Sequence, residues 1–243
     1  MKGYEIYSQL RIPKTSPIIL RVDGRAFHTL ADKTDLNKPY DENFKNLMID
    51  VCEDILKEFS PSFIYTFSDE INILLNEIPF NQRIEKIDSV IASFTSSSFT
   101  INYSKHFNNQ LYKPIAFDCR IILLNKDNVA EYFKWRQDEA WRNCVNSYGI
   151  CFLKSKYSTK EANERISGLK NNDIHEMLFK EGINLNDVSN WQKRGLALYK
   201  KQKEIEGFNK KENIKNKSYR NYIYKDLNLP IFSDTFFNEI NVI

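Results

Sequence analysis

The alternation of apolar and polar stretches in the first half of the chain predicts four strands and two long helices. Apolar runs predict strands at residues 16–23, 62–67, 71–76 and 117–124. Apolar residues at helical spacing predict one helix from Asp41, its N-cap, to about Phe59, and another from residue 81 to about 106. The resulting order, β-α-β-β-α-β, predicts an α+β chain with a ferredoxin-like sheet.

Acidic residues stand at the ends of two of these predicted strands. Asp23 ends the first strand, and Asp69 and Glu70 begin the third. In a ferredoxin-like sheet the first and third strands are central, adjacent and antiparallel, so the end of one lies beside the start of the other. This topology is also that of the palm of polymerases and cyclases, and it predicts that the three carboxylates converge.

Converging carboxylates are well suited to hold Mg²⁺, which prefers oxygen ligands. Paired magnesium ions clamp phosphates for in-line displacement at phosphorus, so the pattern predicts phosphoryl or nucleotidyl transfer. An alternative interpretation is that Asp23 and Gly24 only form a turn. For Glu70 three roles stay open: it binds metal indirectly, orients a ligand, or stays solvated.

The second half of the chain has a different pattern. Helices are predicted over 126–148, from Ser158 or Thr159 to near Gly168, and over 172–180, followed by a short strand at 194–200. We therefore expect a palm catalytic domain at residues 1–135 and, packed on it, a C-terminal region at 136–243 of helices and short strands. Basic residues outnumber acidic ones from Lys193 to Arg220.

Composition narrows the class of protein. The chain has 243 residues, 42% hydrophobic and 28% charged, as is typical of a globular protein. No stretch approaches about 18 apolar residues, so no membrane contact is expected. Four cysteines without a CxxC pair predict reduced thiols in the cytoplasm. The absence of GxGxxG and Walker-type loops excludes the familiar nucleotide-binding loops.

A series of short motifs runs through nearly the whole chain. They are Arg21-Val22-Asp23-Gly24-Arg25-Ala26-Phe27-His28, Lys38-Pro39 followed by Asp41, Ser68-Asp69-Glu70, Ser93 to Phe99, Trp135-Arg136-Gln137, Lys193-Arg194-Gly195 and Leu229-Pro230-Ile231-Phe232. In this order and spacing they resemble the tRNA-histidine guanylyltransferase family, and in particular its bacterial and archaeal branch, the guanylyltransferase-like proteins.

The resemblance implies a 3′–5′ polymerase. ATP adenylylates the 5′-monophosphate of a tRNA, and the 3′-hydroxyl of an incoming nucleotide then displaces AMP. Eukaryotic members add one G to histidine tRNA, whereas the guanylyltransferase-like branch restores missing 5′ nucleotides against a template. The eukaryotic His-Ile-Asn-Asn segment falls on Trp141-Arg142-Asn143-Cys144, where only Asn143 is retained. This favours the repair branch; dedicated G addition and a non-catalytic tRNA-binding module are the alternatives.

The resemblance also implies roles for individual residues. Asp23, Asp69 and Glu70 would be catalytic, with two Mg²⁺ ions held by Asp23, the Gly24 carbonyl and Asp69. ATP and GTP, or another nucleoside triphosphate, would be bound by Arg25, Ala26, Phe27, His28, Lys38, Ser68, Arg83, Lys86 and Asn143. The tRNA would be contacted by Arg136, Lys193 and Arg194. A homotetramer, built as a dimer of dimers, is implied as well. The alternatives are a structural His28 and an ordinary solvated helix face at Arg83 and Lys86.

Overall fold

One antiparallel sheet organises the molecule. A computed structural model describes residues 1–14, 17–34, 36–209 and 214–242. Within them the sheet has six strands in the order β4-β1-β3-β2-β5-β6. The strands are β1 Ile18–Gly24, β2 Phe63–Phe67, β3 Glu70–Leu75, β4 Phe117–Leu123, β5 Leu196–Asn209 and β6 Ile214–Asp226. The helices are α1 Phe27–Lys33, α2 Glu42–Phe59, α3 Ile84–His106, α4 Val129–Lys156, α5 Thr159–Ile166, α6 Asn171–Lys180, α7 Asn190–Arg194 and α8 Asp234–Glu239.

The predicted β-α-β-β-α-β order is confirmed. Strand β1 lies between β3 and β4, and all three run antiparallel to their neighbours. Asp41 is the N-cap of α2, since its carboxylate accepts a hydrogen bond from the Phe44 amide at 2.8 Å. Helix α1 was not predicted, because its seven residues are too few to show a helical period.

The sheet is buried on both faces by different partners. Side chains alternate between the faces along each strand. Leu20 and Ile73 pack with residues of α2 and α3, whereas Ile19 and Leu74 pack with residues of α4. The C-terminal segment joins the α4 side, where Leu229, Phe232, Phe236 and Phe237 are buried in the same cluster. A site built at the end of this sheet is therefore supported by a hydrophobic core on each face of the sheet.

The strands in the second half of the chain are longer than the short strands predicted there. Strand β5 has 14 residues, of which only Leu196 to Tyr199 pair with β2, and the rest pairs with the 13-residue β6. The two strands thus continue past the sheet as a two-stranded ribbon. Helix α4 runs without a break through residue 135, so the expected division at that residue stays a prediction.

No helix in the described part of the chain is long and apolar enough to cross a membrane.

Candidate active site

Three carboxylates form a row across the sheet. In the strand register Asp23 of β1 lies between Glu70 of β3 and Asp118 of β4. They occupy the face that carries α4, because Ile19 packs there and positions two residues apart share a face. Like charges directly opposite each other are unfavourable in a sheet, but Glu70 is paired with Arg136 and Asp118 with Arg120, 3.4 Å away. Asp23 has no ion pair with another described residue, so it is the carboxylate of this row that is left for a cation.

Asp69 joins this row from the β2–β3 turn. Ser68 adopts a left-handed conformation with φ of 51°, and its Oγ donates to Asp69 Oδ1 at 2.9 Å. A Cβ atom added to Gly24 would lie only 2.8 Å from Asp69 Oδ2, so this carboxylate sits directly against the Gly24 backbone, next to Asp23. The predicted convergence of Asp23, Asp69 and Glu70 is confirmed.

The electrostatics of the row favour a bound cation. Burial, together with the neighbouring charges of Asp23 and Glu70, raises the pKa of Asp69 from 3.8 to about 6, against the hydrogen bond from Ser68. Burial also raises the pKa of Asp23, and so do Glu70 and Asp118, while Arg120 and Arg21 oppose them. A divalent cation would relieve this repulsion.

Magnesium fits the residues present, although they are few. Within the described residues no three His, Cys, Asp or Glu side chains gather as a metal-ligand cluster. Magnesium, however, is usually held by one or two carboxylates and completes its shell with waters and substrate phosphates. Asp23 and Asp69, close together and poorly solvated, with the Gly24 carbonyl beside them, match that donor set. Their assignment as magnesium ligands stays a prediction.

Glu70 and Arg136 are bound to each other. Arg136 Nε donates to Glu70 Oε1 at 2.7 Å, and Nη2 donates to Oε2 at 2.6 Å. Arg136 is 6% exposed and Glu70 8%. The predicted tRNA contact at Arg136 does not agree with this burial, because its guanidinium is already used by a carboxylate of the site.

A cleft of about 390 Å³ opens on one side of Asp69. It gathers the predicted nucleotide-binding residues Phe27, His28, Lys38, Ser68 and Asn143 from four separate parts of the chain. Both His28 and Asn143 are exposed. The structure therefore brings together five of the nine residues assigned to the nucleotide.

A second cleft of about 370 Å³ adjoins the first and shares Ser68, Asp69 and Asn143 with it. Its walls include Arg21 and Arg120, which are register partners across β1 and β4. These arginines were missed from the sequence, although Arg21 stands two residues before Asp23 and so had to share its face. Trp135, 48% exposed, lies with its ring centre 6.0 Å from the Arg21 guanidinium carbon.

The segment after Gly24 is a turn into helix α1. The Arg25 amide donates to the Ala116 carbonyl at 2.9 Å, so it is not free to bind a phosphate as expected. Ala26 takes a left-handed conformation, with φ of 59°, as the N-cap of α1. The Phe27 ring is 7% exposed and packs edge-on against Phe99. The exposed side chains of Arg25 and His28 remain for a ligand.

Arg83 and Lys86 lie at the far end of the sheet. Strand β3 runs from Glu70 to Leu75, about 17 Å at the usual rise per residue, and α3 begins only after that end. Arg83 Nε donates to the Ser8 carbonyl at 3.0 Å. Within one chain these two residues therefore lie away from the carboxylates, and their assignment to a triphosphate stays a prediction.

The motif around Arg194 holds the C-terminal segment in place. Arg194 Nη1 donates to the Leu229 carbonyl at 3.1 Å, and its own carbonyl accepts from the Tyr65 hydroxyl at 2.9 Å. Lys193 Nζ donates to the Asn186 carbonyl at 2.6 Å. These internal bonds give Arg194 a structural role, while its guanidinium and the ammonium of Lys193 both keep further donors, so the tRNA contacts of both residues stay predictions.

Comparisons with known proteins identify the family. The sequence model described as tRNAHis guanylyltransferase matches residues 1–125, and the one described as Thg1 C terminal domain matches residues 127–229. The probable tRNA(His) guanylyltransferase of Dictyostelium discoideum is 31% identical over 233 residues, covering 91% of this chain and 88% of the relative. The tRNA(His) guanylyltransferase of Schizosaccharomyces pombe is 29% identical, with coverages of 97% and 92%.

Solved structures agree with these sequence matches. A bacterial tRNA(His) guanylyltransferase (Thg1)-like protein in complex with ATP superposes with a TM-score of 0.78 at 25% identity, covering all of this chain and 96% of that one. The same kind of protein in complex with GTP gives a TM-score of 0.73 at 26% identity, with coverages of 99% and 95%. Because sequence and fold match over both halves, the chain belongs to the tRNA(His) guanylyltransferase family of nucleotidyltransferases.

Proposed function

We propose that the protein adds nucleotides to the 5′ end of tRNA in the 3′–5′ direction, with the opposite strand as template. The observation that carries this proposal is the pair of clefts that meet at Asp69. Displacement at phosphorus needs the attacking and leaving oxygens in line on opposite sides. Two clefts that share one carboxylate cluster would bring two substrates together at that point, with the reacting phosphorus beside Asp69.

Two displacements would use this arrangement in turn. In the first, an oxygen of the tRNA 5′-monophosphate attacks the α-phosphorus of ATP, and pyrophosphate leaves. In the second, the 3′-hydroxyl of the incoming nucleotide attacks the 5′-phosphorus of the adenylylated end, and AMP leaves. Magnesium bound at Asp23, Asp69 and the Gly24 carbonyl would supply stabilisation of the charge that develops on the phosphates.

Different side chains of the two clefts would bind the nucleotide and the tRNA 5′ end. His28 and Lys38 would hold the phosphates of the nucleotide, and Asn143, reaching into both clefts, would contact either substrate. Arg21 has no hydrogen bond or ion pair to any other described residue. An unpaired guanidinium beside a carboxylate row is a receptor for phosphate, so Arg21 and Arg120 would take the tRNA 5′ end.

The ribbon of β5 and β6 offers a surface for the body of the tRNA. Tyr219 is 65% exposed and Tyr222 43%, and Lys201 Nζ lies 3.5 Å from the ring centre of Tyr224. Exposed aromatic rings among lysines suit nucleic acid, because rings stack on bases and ammonium groups neutralise phosphates. Lys193 adds a further cation at the base of the ribbon.

The departure of Trp141-Arg142-Asn143-Cys144 from the eukaryotic segment supports the repair activity over dedicated G addition in this proposal. Asn143, the retained position of the eukaryotic segment, lines both clefts. Trp141, which replaces the eukaryotic histidine, instead lines a separate cleft with Lys193 and Arg194. The second candidate, addition of one G to histidine tRNA, is favoured by the names of the curated relatives.

One assay separates the two candidates. Purified protein with Mg²⁺, ATP and the four nucleoside triphosphates is given two monophosphorylated tRNAs, one a histidine tRNA without its extra G and one a non-histidine tRNA lacking its first nucleotide. Extension of the truncated tRNA by the complementary base supports repair. Extension of the histidine tRNA alone identifies a dedicated guanylyltransferase, and tight binding without extension of either identifies a tRNA-binding module.

A cytoplasmic homotetramer is part of the same proposal. Arg83 and Lys86 lie at the opposite end of the sheet from the carboxylates, so they would reach a triphosphate only in another subunit's site. Light scattering on a sizing column measures the assembly, and a monomeric, fully active protein would exclude any such contribution.

A further inference from the structure

Helix α4 is fastened to the start of β3 by the buried pair of Arg136 and Glu70. Two parallel charge-assisted hydrogen bonds, 2.7 and 2.6 Å long, engage both carboxylate oxygens. Such a bidentate pair fixes orientation as well as distance, which a single contact does not. The pair therefore sets how the helix lies on this end of the sheet.

A second layer of contacts completes the pair. Asn72 Nδ2 donates to Glu70 Oε1 at 2.8 Å, and the Tyr132 hydroxyl donates to Asn72 Oδ1 at 2.6 Å. The Arg136 guanidinium carbon lies 4.5 Å from the ring centre of Trp135 and 5.5 Å from that of Phe67. Arg136 reaches the wall of the second cleft, but its Nε and Nη2 edge is turned to Glu70 and only 6% of the residue is exposed, so the guanidinium presents little to a substrate.

The pair connects two parts of the active site. Glu70 directly follows Asp69, so holding Glu70 holds the peptide that carries Asp69. Asn143 stands seven residues after Arg136, two helical turns on and on the same side of α4. The pair therefore fixes the position of Asn143, which reaches into both clefts, relative to Asp69.

The pair also keeps the charge of Glu70 out of the carboxylate row. Glu70 lies opposite Asp23 in register and is buried, so without a partner it would add a third uncompensated charge. With both its oxygens accepting bonds from Arg136 and Asn72, Glu70 is also not presented to a cation between Asp23 and Asp69.

We propose that Arg136 is a positioning residue for nucleotide addition, acting through Glu70 on Asp69 and Asn143 and touching neither nucleotide nor tRNA. This inference rests on the proposed function. Lysine cannot replace Arg136 in this role, because an ammonium is a single point charge and cannot form the two parallel bonds.

The first test is Arg136→Lys, with Arg142→Lys as the matched control on the same helix. Arg142 has a side chain 49% exposed and lies outside the pair. We expect kcat for addition to the truncated tRNA to fall about 100-fold in Arg136→Lys, the cost of a misplacement near 1 Å. We expect the tRNA Kd to stay within about twofold, and Arg142→Lys to match the wild type in both.

Two results would overturn the inference. One is an Arg136→Lys protein with wild-type kcat. The other is a tRNA Kd raised about tenfold with a shallower salt dependence, which is the signature of a lost phosphate contact and would make Arg136 a tRNA ligand. A wild-type protein that extends neither tRNA would instead refute the proposed function, and this inference with it.

A double-mutant cycle guards against loss of folding. Glu70→Gln, Arg136→Met and the double variant are compared by urea unfolding without metal or nucleotide, and then by single-turnover addition. The double variant carries no unpaired buried charge, so we expect it to unfold at a higher urea concentration than Arg136→Met alone. We expect its loss of rate to equal that of the worse single variant. Additive losses in both measurements would mean that the two residues act independently.

Discussion

Alanine at position 24 is the smallest change that tests the geometry of the carboxylate site. A Cβ on Gly24 would lie 2.4 Å from Phe27 Cδ2 and 2.8 Å from Asp69 Oδ2. Neither neighbour can move freely. The Phe27 ring is buried against Phe99 and Phe117, with ring centres 5.3 and 5.1 Å away, and Asp69 is held in a tight turn by Ser68. The one added methyl group therefore strains the core and the site together.

The size of both effects follows from these distances. Reaching an ordinary contact of 3.4 Å requires the Phe27 ring to move by about 1 Å and the Asp69 carboxylate by about 0.6 Å. Overpacking of this kind costs about 1–3 kcal/mol of the free energy of unfolding. For a chain of this length that lowers Tm by about 2–12 °C. A shift of Asp69 by part of an ångström lowers the rate of nucleotide addition about ten- to a hundredfold.

Thermal unfolding and single-turnover addition to the truncated tRNA measure the two effects separately. Gly3→Ala is the control, because nothing lies within 4 Å of the position of its added Cβ. In Gly24→Ala/Phe27→Leu the smaller side chain relieves the clash in the core but not the one with Asp69. We expect Gly24→Ala to lower Tm less in the Phe27→Leu background than in the wild type, while the loss of rate stays the same. A Gly24→Ala protein with wild-type Tm and wild-type rate would refute the described position of Asp69.

Four further predictions concern single side chains. Because the pKa of Asp69 is raised from 3.8 to about 6, the folded chain binds the Asp69 proton more tightly than the unfolded chain. Protonation of Asp69 therefore stabilises the fold fully below pH 3.8, and this stabilisation is lost as the pH rises through about 6. In EDTA at pH 7 this stabilisation is absent from the wild type, so Asp69→Asn should unfold at a higher urea concentration, with a free energy of unfolding about 1–3 kcal/mol greater. A less stable variant would contradict the raised pKa. In Mg²⁺, Asp23→Asn and Asp69→Asn should lose nucleotide addition, and near-normal turnover would remove them as metal ligands. Lys38→Met should raise the KM for the nucleoside triphosphate about tenfold, with an unchanged tRNA Kd as the check that the loss is confined to one cleft. Arg194→Gln should lower the urea midpoint but leave tRNA affinity intact; a weaker tRNA complex with normal stability would restore its predicted role in binding.

The features predicted correctly from the sequence are those set by short-range pattern and topology. Runs of apolar residues mark the four palm strands, and their order alone places Asp23 beside Glu70. Ser68, Lys38 and His28 each lie close to the end of a strand or helix that the pattern locates. Their assignment to one nucleotide site could therefore be made from the sequence. Arg21 stands two residues before Asp23 and so lies on the same face of β1, which means that it could have been recognised from the sequence.

The roles of the other arginines could not be predicted, because they depend on partners far away in sequence. Arg136 meets a carboxylate 66 residues earlier, and Arg194 meets a carbonyl 35 residues later. An arginine in a basic motif gives no sign of either. Arg83 and Lys86 differ in another way: their helix was predicted correctly, but its first turn lies at the end of the sheet away from the carboxylates. The ribbon was missed because most of it is not buried, so it lacks the apolar alternation that marks a strand.

The packing of the C-terminal segment has a consequence for biosynthesis. Phe232 and Phe237 are buried in the same core as Ile19 and Phe133, and Gln137 bonds the backbone at both Pro230 and Phe232. On the ribosome, α4 can pack on this face of the sheet before residues 229–237 are synthesised, but the aromatic core around Phe133 is complete only with them. A chain truncated before residue 229 would therefore expose apolar surface of this core, and we expect it to aggregate.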